Sequence, residues 1–181
     1  MVPPFDHEHI VAGQGTIGLE LIAQRPDVTH VYAPVGGGGM IAGVSAAIRA
    51  MAPHVRVIGV EPAGAPKVSR SLAAHRPITL DHSESIADGL LALRPGTITF
   101  AHIQALVDQV VTVTEDEIRA ATRLLARDTK IVAEPSGAVS VAGALRLAPQ
   151  GSTGSHVAVI SGGNVDPRLF AEIVAGPGTG E

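Results

Sequence analysis

Three observations predict an α/β fold with a mainly parallel, open sheet and helices on both faces. Short runs rich in Val and Ile recur along the chain, each bounded by Gly, Pro or polar residues. Segments with helical spacing lie between them, and glycine clusters stand directly after two of the apolar runs. Continuous apolar runs of this length suit strands buried on both faces. Their alternation with helices is the pattern of a parallel sheet.

Taken in order, the chain opens with a turn at Gly13-Gln14-Gly15-Thr16-Ile17-Gly18 that leads into an amphipathic helix from Gly15 to Gln24. Val31 to Val35 reads as a strand, Gly36-Gly37-Gly38-Gly39 as a loop and Met40 to Met51 as a helix. A second strand follows from Val55 to Val60, then helices from Ala65 to Ala74 and from Ile98 to Val107. Val110 to Val113 is the third strand. Thr114 then stands before Glu115-Asp116-Glu117, an N-cap with acidic residues in the first turn and a capping-box spacing to Glu117. The helix it starts runs to Asp128. Its apolar stripe is Ile118, Ala121, Thr122 and Leu125, and Arg119, Arg123 and Arg127 read as a solvated face. Pro135 suits the first turn of a helix reaching Leu147. A Gly/Ser/Thr loop from Gln150 to Ser155 leads to a fourth strand, Val157 to Ile160. Residues 1–175 are expected to form one unit, with 176–181 a loose tail.

Composition narrows the function classes. The 181 residues carry 17 Asp and Glu against 13 Lys and Arg, a net charge of −4, which argues against a nucleic-acid surface. Four aromatics, Phe5, Tyr32, Phe100 and Phe170, leave little for base stacking. The absence of Cys removes disulfides, thiolate metal sites and thiol nucleophiles, and fits a reducing, cytoplasmic setting. No N-terminal basic patch and apolar run marks a signal peptide. Val31 to Ile48 has 18 residues without a charge, but Pro34 and four glycines would break a lipid-exposed helix, so no membrane partner is expected. Lysine is scarce: Lys67 and Lys130 are the only two.

Three glycine clusters could carry chemistry. Gly13, Gly15 and Gly18 satisfy G-x-G-x-x-G, but no full strand precedes them and no acidic residue stands about 20 positions on for a ribose. A dinucleotide-dependent oxidoreductase is therefore disfavoured against a simple turn. Gly36 to Gly39 is stronger. Consecutive glycines after a buried strand can aim several N–H groups at one anion, at the positive end of the following helix. No Lys-Ser/Thr follows, so this is not a Walker loop. Ser161-Gly162-Gly163-Asn164 follows the fourth strand, where open α/β sheets place ligand contacts, or is an ordinary turn.

Together the motifs resemble a known family. Pro4-Phe5-Asp6, Ala12 to Glu20, Pro34-Val35 with the glycine run and Met40, Glu61-Pro62, Ala87-Asp88-Gly89, Thr112 to Glu117, Glu134-Pro135-Ser136-Gly137-Ala138 and Ser161 to Asn164 stand in the order seen in threonine dehydratases and serine racemases. These are pyridoxal-phosphate enzymes of the tryptophan-synthase-β-like fold (fold type II). The resemblance runs from Pro4 to about Pro167, and implies an incomplete large domain of that fold. It implies that Gly36, Gly37, Gly38, Gly39 and Met40 bind the phosphate of pyridoxal 5'-phosphate. Ser161 would face the pyridine nitrogen and Phe5 the cofactor ring. Gly89 and Glu134 would line the pocket, although Glu134 reads equally as a charge at a helix start.

The resemblance also implies a divalent-cation site with ligands from Glu61 and the Ala65 carbonyl. At the third ligand position this chain has Lys67, and a charged lysine does not ligate a divalent cation. His7-x-His9 is the only other metal-like spacing, and exposed histidines near a terminus read as unengaged.

The family's Schiff-base lysine belongs in a Ser-x-Lys-x-Arg context, and neither Lys67 nor Lys130 has it. Both read as surface or packing residues, so no catalytic residue is assigned. The chain is thus expected to be the C-terminal half of such an enzyme, with the small domain and first strands preceding Pro4 and no regulatory domain after Asn164. The implied activity is elimination from a small hydroxy amino acid to a 2-oxo acid and ammonia, or serine-racemase-type chemistry in a complete chain. The isolated chain is expected to be inactive, and to self-associate as a homo-oligomer or pair with a missing N-terminal half. The rival reading is a non-catalytic module that kept the phosphate loop.

Overall fold

The computed structural model describes residues 3–148 and 154–176. The predicted loop from Gln150 and the predicted tail fall largely on residues outside that range. Within it, helix α1 (Glu8–Gln24) precedes strand β1 (Val28–Pro34), and α2 (Gly39–Met51) leads to β2 (Arg56–Pro62). Helix α3 (Lys67–Ala73), a 3-10 turn (Asp88–Leu90) and α4 (Thr97–Leu106) come before β3 (Gln109–Val113). Helices α5 (Glu115–Leu124) and α6 (Pro135–Leu147), strand β4 (Ser155–Ala158) and α7 (Pro167–Ala175) complete the order.

The four strands form one parallel sheet in the order β3-β2-β1-β4. Strand alternation divides the apolar residues between two cores. Val31, Ala33 and Val57 pack on one face with Ile41, Val44 and Ile48 of α2 and Ile103 of α4. Tyr32, Ile58 and Val60 pack on the other with Ile118 and Ala121 of α5 and Val139 of α6. Both faces are covered, which is why the strands read as unbroken apolar runs. In β1 the pairing steps from Val28–Ser155 to His30–His156, so one extra residue bulges out at Thr29. That bulge places Val28 and Val31 in the same core. Tyr32 belongs to the second core, and its hydroxyl meets His156 Nδ1 at 3.0 Å in a partly buried contact.

Three elements, α1, α5 and α7, depart from the sequence reading in four respects. Helix α1 starts seven residues earlier than Gly15, because His7 Nδ1 accepts the His9 N–H at 3.1 Å and caps it. The histidines thus have a structural role. The glycines read as a turn lie inside this helix, where α1 crosses α2. A Cβ on Gly18 would come within 2.8 Å of the Ala47 Cβ, and one on Gly43 would strike the Val11 carbonyl. The third departure is in α5, which ends at Leu124 and continues as a π turn (Leu125–Thr129) closed by Lys130 at φ 63°. The fourth is α7, absent from the sequence reading and capped by Asp166, which accepts from Arg168 N and Leu169 N. Its docking corrects the reading of the arginine row at Arg119 and Arg123, whereas Arg127 is exposed as expected. Arg119 Nη1 reaches Glu172 Oε1 at 2.9 Å and Arg123 Nε donates to the Ile173 carbonyl at 2.8 Å. Among the described residues no helix is long and apolar enough to cross a membrane.

Candidate active site

Because the strands are parallel, the loops after β1 and β4 open at the same end of the sheet. Val35 still donates to the Val60 carbonyl at 2.8 Å, so the chain leaves the sheet only where the glycines begin. Gly38 sits at φ 100°, a conformation that penalises any side chain. The first bond within α2 runs from Ala42 N to the Gly38 carbonyl at 3.0 Å. The N–H groups from Gly38 to Ile41 therefore have no partner within the helix, and they stand at its positive end.

Neighbouring segments fix this loop. The Gly37 carbonyl accepts from Thr99 Oγ1 at 2.7 Å and from Gly96 N at 3.1 Å. In a trans peptide the following N–H, that of Gly38, points the opposite way. The Phe5 ring lies directly over Gly37, where a Cβ would collide with it. Phe5 is held in turn by Asp6, whose carboxylate accepts Thr97 N and Ile98 N at 2.8 Å and Thr99 N at 3.2 Å. Asp6 supplies from a distance the cap that Gly96 lacks at the start of α4.

Facing the glycines is the Gly89 turn. Its N–H donates to Ser136 Oγ at 2.9 Å. Glu134 precedes Pro135 but makes no side-chain cap to its own helix. Instead its Oε2 accepts Asn164 N at 2.9 Å and its N–H donates to the Gly162 carbonyl at 3.1 Å. It clasps the Ser161-Gly162-Gly163-Asn164 loop. The site that results is a cavity of about 340 Å³, the size of a small-cofactor pocket. Gly36, Gly37, Gly38, Gly39, Met40, Phe5, Gly89, Ser161 and Glu134 all line it.

Two polar contributors were not singled out in the sequence. Gln14 and Ser136 also line the cavity. Ser136 sits within the Glu134-Pro135-Ser136-Gly137-Ala138 motif, which is the signal that could have found it. Gln14 lies in the G-x-G-x-x-G stretch and reaches the site because that stretch is helical.

The Glu61 and Ala65 oxygens converge, but on the Lys67 ammonium. Lys67 is wholly buried rather than exposed, and Nζ donates to the carbonyls of Val35 at 2.9 Å, Leu90 at 2.7 Å and Ala65 at 3.3 Å. Glu61 Oε2 lies 3.8 Å away. The same carboxylate accepts Val68 N and Ser69 N at 3.0 and 2.8 Å. Burial pushes the Lys67 ammonium down to about 8, against the pull of Glu61, and pushes the Glu61 carboxyl up. Three carbonyl acceptors around Nζ suit the charged form, since a neutral amine would offer only two N–H groups. Lys130 is exposed and bonds the Arg127 carbonyl, so neither lysine lines the cavity.

Comparison with known proteins agrees with this geometry. The family model for pyridoxal-phosphate dependent enzymes matches residues 1–163. An L-threonine ammonia-lyase of Geobacter sulfurreducens is 44% identical over 173 residues, which cover 96% of this chain and 43% of that protein. The processed form of threonine deaminase isoform 2 from Solanum lycopersicum superposes with a TM-score of 0.91 at 38% identity, over 95% of this chain and 48% of that one. Maize serine racemase does so with a TM-score of 0.87 at 36% identity, over 94% and 53%. The chain spans about half the length of the curated relatives it matches.

Proposed function

The chain belongs to the pyridoxal-phosphate dependent enzymes, and from that membership we propose that it is the cofactor-cradling part of a threonine or serine ammonia-lyase. The single observation that carries the reading is the cavity. Glycine N–H groups at the start of α2 face an aromatic ring, a hydroxyl and a second glycine turn across about 340 Å³.

The residues fit the cofactor. A phosphate would be held by the N–H groups of the stretch from Gly36 to Met40, where α2 favours negative charge. The crowding at Gly37 and Gly38 leaves no room for side chains that would fill the cradle. Phe5 would pack beside the ring, the Gly89 backbone would bound the pocket opposite, and Ser161 would meet the ring nitrogen. A neutral serine hydroxyl exchanges one hydrogen bond there without forcing protonation, which suits elimination over other fates. When bound, the cofactor supplies an electron sink for the substrate Cα. Glu134 keeps Ser161 in place by clasping its loop.

The missing function is the base and Schiff-base lysine. Lys67 is locked among backbone carbonyls and Lys130 is remote, so the chain requires a segment that supplies this lysine. The same observation favours a second reading, a binding module without turnover. Co-expressing the chain with a family N-terminal segment bearing Ser-x-Lys-x-Arg separates them. Release of ammonia and a 2-oxo acid from L-threonine or L-serine supports the lyase reading. Cofactor binding without product supports the module, and D-serine as sole product would support racemase-type chemistry.

A further inference from the structure

The strongest unabsorbed feature is the buried cluster beneath the cavity, around Lys67. Four oxygens converge there: the Val35, Ala65 and Leu90 carbonyls and the Glu61 carboxylate. Carbonyls plus one carboxylate form the donor set that hard cations take. What they surround is an ammonium. Its three N–H bonds are matched by three carbonyls, and its charge by one carboxylate. A divalent ion at that point would lie against a fixed positive charge, and both Glu61 oxygens already accept backbone N–H groups.

The segments it joins are those that shape the cavity. Val35 is the last residue before the glycine loop, and Leu90 follows Gly89 in the opposing turn. Those two segments nearly touch, since a Cβ on Gly36 would lie 3.2 Å from the Gly89 carbonyl. Glu61 comes from the end of β2 and Ala65 from the β2–α3 connection that follows it. We infer that the Lys67 ammonium is a tethered resident cation, which clamps the glycine loop to the Gly89 turn and makes a free metal ion unnecessary there. This stands apart from the ammonia-lyase reading, because it concerns only the framework of the cavity. Lys67 is a positioning residue.

The test measures cation dependence of thermal unfolding in the 181-residue chain. The wild type should keep the same midpoint with EDTA and with millimolar calcium or magnesium. Lys67→Asp puts a second carboxylate in the cage and should make the midpoint rise with calcium or magnesium and fall again with EDTA. At a hundredfold excess over Kd the rise should be roughly 5–10 °C. With only two lysines, a 15N-lysine spectrum reports the site directly. It should show one Nζ ammonium protected from exchange at neutral pH, which Lys67→Met abolishes. The spectrum and the wild-type EDTA series decide the matter if the aspartate variant does not fold. A saturating divalent-ion stabilisation of the wild type, or the absence of a protected ammonium, would overturn the inference.

Discussion

Among single residues, Gly37 and Lys67 most directly shape the cavity. Gly37 has the Phe5 ring on one side and its carbonyl fastened by Thr99 on the other. Gly37→Ala must displace the ring. Overpacking typically costs ~1–3 kcal/mol, so calorimetry should show pyridoxal-phosphate affinity falling roughly tenfold or more. Lys67 is the second. Its folded-state value of about 8 lies below the ordinary 10.5, so between those pH values the unfolded chain retains a proton the folded chain has released. Stability therefore rises with pH across that window. Urea midpoints should show the rise, and Lys67→Met should flatten it. The same variant is destabilised by roughly 3 kcal/mol or more at neutral pH, because it strands Glu61 in the interior. The role of Lys67 was not legible in the sequence, since its three acceptors come from segments 23 and 32 residues away as well as from its own loop. The glycine run was legible, because its meaning depends on one strand and one helix adjacent in the chain.

Among elements, α4 and the glycine loop are coupled through Asp6. Asp6→Ala removes three N–H contacts from the start of α4 and frees Phe5. Loss of such a cap costs about 1–2 kcal/mol, which a urea titration would register, and cofactor affinity should fall with it. Asp6→Asn should recover part of both. The capping box of Thr114 and Glu117 and the Pro135 start of α6 were readable because both partners lie within one turn. The start of α1 was not. Gly13 and Gly15 look like punctuation, yet the helix continues through them, and the α1–α2 crossing selects glycine for close approach at Gly18 and at Gly43. Helix α7 is announced only by the Asp166-Pro167 cap, and Arg119 and Arg123, which hold it, have the spacing of a solvated face.

For the whole molecule, alternating strands and helices foretold a parallel sheet covered on both faces. The order β3-β2-β1-β4 depends on where each crossover returns, which no local spacing encodes. That order places the Gly36 loop beside the Ser161 loop, and so brings motifs more than a hundred residues apart into one cavity. On the proposed reading, this cavity cradles the cofactor while the chain itself supplies no lysine to bond it. Titration with pyridoxal phosphate, followed by borohydride reduction and peptide mapping, tests both halves in one measurement. The expected result is saturable binding that inorganic phosphate competes away, with no reduced adduct on Lys67 or Lys130. A stoichiometric adduct on either lysine, or no phosphate-competed binding, would contradict it.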